Sequence, residues 1–128
     1  MASTLFLRRI LALDAASCAA MGLAMSLAAT PLASLFGLPD DLIRTAGLLL
    51  LPLAAFIAWL ASRPAPPPLL VWVVIVGNVG WTAESFVLLG RYDPTPLGAG
   101  FVALQALAVL GLAGLEYAGL RRIRSASA

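Results

Sequence analysis

The chain has 128 residues, 62% of them hydrophobic and only 11% charged, with a mean hydropathy of +1.00, too few charges to coat a water-soluble globule of its size. All eight basic residues are arginines and histidine is absent, which excludes a Ser-His triad, a histidine metal site, a Schiff-base lysine and a P-loop lysine. The net charge of +2 is no nucleic-acid footprint, because every arginine flanks or enters an apolar run.

Four stretches without a charged side chain, 15–39, 45–62, 64–83 and 94–115, are each long enough to approach or exceed the roughly 20 residues that cross a ~30 Å hydrocarbon core. Backbone groups in lipid must be satisfied within the segment, so all four are expected to be helices. The first is predicted over about 4–30, capped by Ser3 or Thr4 and ended by Pro31. Residues 31–38 are too apolar for a free loop and are expected to lie flat at the membrane interface. The second helix is predicted over 39–62, with Pro39, Asp40 and Asp41 as a favourable first turn and Pro52 as a kink site beside Gly47. A stiff Pro-rich linker over 63–68 leads to the third helix at about 68–90. A tight turn, Arg91 to Thr95, precedes the fourth at about 96–120, with Thr95 as cap and Pro96 in its first turn.

These elements predict an all-α polytopic membrane protein: one transmembrane domain spanning 1–128, a four-transmembrane-helix up-down-up-down bundle in which consecutive helices are neighbours. Four spans place Arg8, Arg9, Arg63, Arg121, Arg122 and Arg124 on one side and Arg44 and Arg91 on the other. By the positive-inside rule both termini are expected to be cytoplasmic, and Trp59, Trp72, Tyr117 and Tyr92 fall at helix ends as an aromatic belt. Abundant Ala, Gly, Pro and Arg without Lys points to a GC-rich bacterial genome, and hence to the inner membrane. A cleaved signal peptide is disfavoured, since the apolar run exceeds the usual h-region and Asp14 interrupts its start.

Three groups of residues invite a role. Glu84 lies about 9 Å inside the outer end of the third helix, on one face with Gly77, Gly80, Trp81 and Arg91, and beside Asn78. An intramembrane carboxylate is a candidate functional site, here composed of Glu84, Asn78, Trp81, Arg44 and Arg91; Arg44 is its expected partner, and an interhelical ion pair fixing register is the plainer account. Asp14 and Glu116 are expected about a turn and a half inside the cytoplasmic end, where Arg9 and Arg121 would form rim ion pairs with them. Gln105 is expected to bond across helices. Ala12, Ala16, Ala20, Ala24 and Ala28 recur at i+4 in the first helix and are expected to serve close helix packing, within the bundle or against another chain. Cys18, Met21 and Met25 share a face with Asp14 and read as packing residues in preference to a Cu(I) site, so neither a metal nor a cofactor is expected.

The functional expectation is a non-catalytic component of a membrane assembly, self-associating or packed into a larger complex, with the lipid bilayer as its other partner and no nucleic acid. Two alternatives are a small proton- or cation-coupled transporter or channel using Glu84, and an enzyme acting on a lipid-soluble substrate through carboxylates alone.

Overall fold

The computed structural model describes residues 2–127, with side-chain surroundings over 4–124. Five helices follow in order: α1 (Ala2–Leu27), α2 (Ala29–Phe36), α3 (Asp40–Ser62), α4 (Pro68–Arg91) and α5 (Pro96–Ser127). Four of them hold apolar spans long enough to cross a membrane, Thr4–Leu27, Asp40–Ala61, Pro68–Arg91 and Pro96–Arg124. The protein is an all-α, polytopic, four-transmembrane-helix bundle with one additional short helix.

The boundaries depart from expectation in three places. The first helix ends at Leu27, because Pro31 has no N–H to offer the Leu27 carbonyl, and a new helix begins at Ala29. Residues 31–38 are therefore mostly helical; α2 closes on Gly37, whose φ of 68° and N–H bond to the Ala33 carbonyl make a left-handed cap. At the other terminus, nothing after Leu120 breaks a helix, and α5 runs on to Ser127. At the start, α1 already includes residues 3 and 4, so Thr4 is no cap; the side chain of Ser3 lies outside the described residues. Thr95 does cap α5: its Oγ1 accepts from the Gly98 N–H at 3.1 Å.

Packing within the bundle is uneven. α1 lies mainly against α3 and also against α5, α4 packs on α5, and α3 and α4 barely touch. The expected adjacency of consecutive helices thus fails at one step. Small residues explain it by drawing α3 onto α1: a Cβ on Gly47 would sit 2.7 Å from the Ser26 backbone nitrogen, and one on Gly22 would sit 3.0 Å from the Gly47 carbonyl oxygen. The linker between α3 and α4 holds four prolines counting Pro68, and it leaves α3 extended at Arg63. α2 is pinned across the far end. The Thr95 N–H and hydroxyl both donate to its last carbonyls, on Phe36 at 2.9 Å and Leu35 at 2.7 Å, and Phe36 stacks on Phe101 with ring centroids 4.7 Å apart.

The alanine row is not the packing row. Ala12, Ala16, Ala20 and Ala24 are exposed and Ala28 falls at the break between α1 and α2, while Ala15 and Gly22 meet α3. An i+4 row drifts by about 40° per step around a helix of 3.6 residues per turn, so five alanines cannot hold one face.

Two apolar clusters close the ends of the bundle, one around Leu7, Leu60, Val71 and Leu120, the other around Ala29, Phe36, Ile43 and Val102. Between them α4 is inside-out. Its buried face continues from Val71 and Val74 into Asn78, Thr82 and Ser85, while Val73, Val76, Val79, Phe86 and Val87 face outward. Polar groups inside and aliphatic groups outside are what a hydrocarbon solvent favours.

Candidate functional site

The polar interior is built from three helices. Asp14 on α1, Asn78 on α4 and Glu116 on α5 are 1%, 9% and 0% exposed. Asn78 Nδ2 donates to Asp14 Oδ2 at 2.8 Å and to Glu116 Oε1 at 2.9 Å. Asp14 and Asn78 each lie ten residues from the ends of their spans at Thr4 and Pro68, and Glu116 lies eight from the end at Arg124, all on the same side of the bundle. With a rise of about 1.5 Å per residue, the three groups meet roughly 12–15 Å inside. The expectation of rim ion pairs is corrected here. Asp14 is already ten residues from Thr4, and α5 ends later than expected, so both acids are deeper than a turn and a half.

Neither Arg9 nor Arg121 reaches them, and Arg121 and the neighbouring arginines are engaged elsewhere. Arg8 Nε donates to the Ala61 carbonyl at 3.0 Å, satisfying a free end of α3. Arg121 lies over the Tyr117 ring at 5.8 Å, Arg122 over Phe6 at 4.4 Å and Arg63 over Trp59 at 5.3 Å. Arg9 is exposed, and no arginine approaches either buried acid within 4 Å among the described residues.

Hydrogen bonding around the two acids is asymmetric. Asp14 has a donor at each oxygen, Asn78 at Oδ2 and the Cys18 thiol at Oδ1, 3.6 Å away. Glu116 has Asn78 at Oε1, and its Oε2 is buried without a donor. The two carboxyl groups lie close together, since both accept from the same Asn78 Nδ2.

A second polar group continues along α4. Thr82 Oγ1 donates to the Asn78 and Ala106 carbonyls, Trp81 Nε1 donates to Gln105 Oε1 at 2.8 Å, and Gln105 Nε2 donates to Ser85 Oγ at 2.9 Å. Gln105 thus bonds across helices as expected, to α4.

Glu84 takes no part in this interior. It is exposed, facing the fissure left where α3 and α4 separate, with Gly77, Gly80 and Trp81 on the same wall. Arg44 does not reach it. That guanidinium lies 3.8 Å from Asp41 and 4.0 Å from Asp40, in the first turn of its own helix. Arg91 is exposed at the end of α4 and does not line the fissure. The structure therefore divides the five expected site residues: Trp81 and Glu84 share the outer fissure, Asn78 turns inward, and both arginines stand apart. Residues 78, 82 and 85 carried the missed signal, a polar stripe at helical spacing in an otherwise aliphatic helix.

The fissure comprises an outer cavity of about 410 Å³ and an inner one of about 110 Å³, which share Met21, Gly77 and Trp81. Asp14 and Asn78 line the inner cavity, as does Cys18. Among the described residues no group of side chains is arranged to hold a metal ion. No family model matches the chain, and no curated protein or solved structure matches it either.

Proposed function

We propose that this protein is a small proton-coupled membrane carrier in which Asp14, Asn78 and Glu116 hold one exchangeable proton. One observation carries the proposal: two acids from opposite ends of the chain converge on a single amide nitrogen in the bundle interior, with no arginine within 4 Å of either among the described residues. Two negative charges in one dry compartment repel strongly, and one proton between the acids removes that repulsion. It also gives the buried Glu116 Oε2 a hydrogen-bonding role, which buried polar atoms require. Intramembrane carboxylates without a structural counter-ion serve as proton relays in pumps and transporters. This reading keeps the transport alternative and moves its centre from Glu84 to the buried pair.

The six-to-two division of arginines supports an orientation with both termini cytoplasmic, and the composition supports a bacterial inner membrane. A second role, as a self-associating or accessory component of a larger assembly, is favoured by the outward Ala12 and Ala16 of α1, which with Ala55 and Ala58 of α3 line a shallow groove on the bundle surface. Light scattering of the purified protein in mild detergent tests that role: a strict monomer that captures no partner counts against it.

Infrared spectroscopy tests the proton site. The wild-type protein should show a protonated-carboxyl stretch that exchanges slowly in heavy water, and Glu116→Gln should remove it. A wild-type spectrum without that band, or with the band intact in both Glu116→Gln and Asp14→Asn, would overturn the proposal.

A further inference from the structure

The fissure between α3 and α4 has acidic groups and no basic ones on its walls. Its lining is predominantly aliphatic and aromatic, the ionisable carboxyl groups being Glu84 in the outer cavity and Asp14 in the inner, and no arginine lines either. α3 and α4, both long and apolar enough to span a membrane, barely touch where it lies. At about 410 Å³, the outer cavity falls in the range of small-molecule sites, roughly 300–1,000 Å³. Its width comes from two glycines: a Cβ built on Gly77 or on Gly80 meets no atom within 4 Å, so they serve space and not helix contact. Trp81 is fixed by its N–H bond to Gln105 and lines both cavities.

We propose that the fissure binds a lipophilic organic cation, a quaternary ammonium or phosphonium with apolar substituents, which enters from the membrane with its charged centre at Glu84. Three features select that chemistry. An exposed carboxylate with no ion-pair partner among the described residues is costly in hydrocarbon, and a cation offsets the cost. The apolar walls fit the ligand's substituents, and aromatic rings, Trp81 and Phe101 among them, favour a positive charge over a negative one. A gap between two span helices suits a molecule already dissolved in the bilayer. As the substrate class, this rests on the carrier reading; the binding step itself uses neither Asp14 nor Glu116.

The test is equilibrium dialysis of the purified full chain in dodecyl maltoside against radiolabelled tetraphenylphosphonium, with tetraphenylborate as a probe of the same shape and opposite charge. Expected is saturable phosphonium binding, with the borate at least about tenfold weaker. Glu84→Gln should weaken phosphonium binding by at least about tenfold, and Glu84→Asp should largely retain it. Gly80→Leu, whose Cβ meets no atom within 4 Å and whose side chain takes up space in the fissure, should abolish it while the protein stays folded. Equal binding of borate and phosphonium, or undiminished binding by folded Glu84→Gln, would overturn the proposal. If Glu84→Gln does not fold, the two probes on the wild-type protein and the Gly80→Leu variant decide it. Phosphonium binding by a wild-type protein whose spectrum lacks the carboxyl band would refute the proton site and leave the cation site standing.

Discussion

Asn78 and Glu116 are joined by a 2.9 Å hydrogen bond from an amide nitrogen that also donates, at 2.8 Å, to Asp14, so one side chain ties α4 to both α1 and α5. Removing it takes from Asp14 Oδ2 and Glu116 Oε1 the amide donor that they share. Asn78→Ala is expected to lower stability by about 1–3 kcal/mol, the cost of unsatisfied buried polar groups. Replacing an acid acts differently, since Glu116→Gln keeps the shape and puts a neutral amide donor where the shared proton would sit. That variant should match or exceed the wild-type thermal midpoint while losing the carboxyl band. Thermal unfolding of both variants in detergent checks the pair of outcomes; equal destabilisation by each would mean that Glu116 serves packing alone.

Much of the architecture was legible because membrane spans are a matter of length and apolarity, and the charges at 40–44, 63 and 91–93 mark the connections. The Thr95 cap and the Pro67-Pro68 start were equally local signals. What sequence did not reveal was lateral arrangement. The separation of α3 from α4 depends on Gly22 meeting Gly47, a contact between residues 25 apart that no periodicity encodes. The site was misplaced for a related reason. Glu84 stood out as the acid of the spans farthest from arginines along the chain, whereas Asp14 and Glu116 were assigned to Arg9 and Arg121, of which the structure leaves the first exposed and turns the second to Tyr117.

Arg44 and Glu84 should behave as independent residues. Arg44 is half-exposed on the side of α3 facing Asp40 and Asp41, and exposed ion pairs of this kind contribute about 0–1 kcal/mol. A double-mutant cycle of Arg44→Gln and Glu84→Gln is therefore expected to give a coupling energy below about 0.5 kcal/mol, the additivity limit for sites without contact. A larger coupling would restore the interhelical ion pair.

The orientation can be tested at two exposed loop positions, Ala65 between α3 and α4 and Asp93 between α4 and α5. In a Cys18→Ala background, a membrane-impermeant maleimide applied to intact cells should label Asp93→Cys and leave Ala65→Cys unlabelled until the membrane is opened. The opposite pattern would place the six-arginine end outside, against the positive-inside rule.

Two glycines of similar sequence context should respond oppositely to one added methyl group. At Gly47 the new Cβ would meet the Ser26 backbone nitrogen at 2.7 Å and Met25 Cβ at 2.8 Å, and backbone cannot swing aside as a side-chain tip can. Gly47→Ala must therefore push α1 from α3, at an expected cost of about 1–3 kcal/mol. Gly80→Ala places its methyl in the open fissure, loses no contact and gains helix propensity worth up to about 1 kcal/mol. Comparing their thermal midpoints separates a bundle held by the α1–α3 contact from one in which both glycines are packing residues. In the second case the Gly80→Ala variant would lose stability too, and α3 and α4 would have to lie closer than the fissure allows.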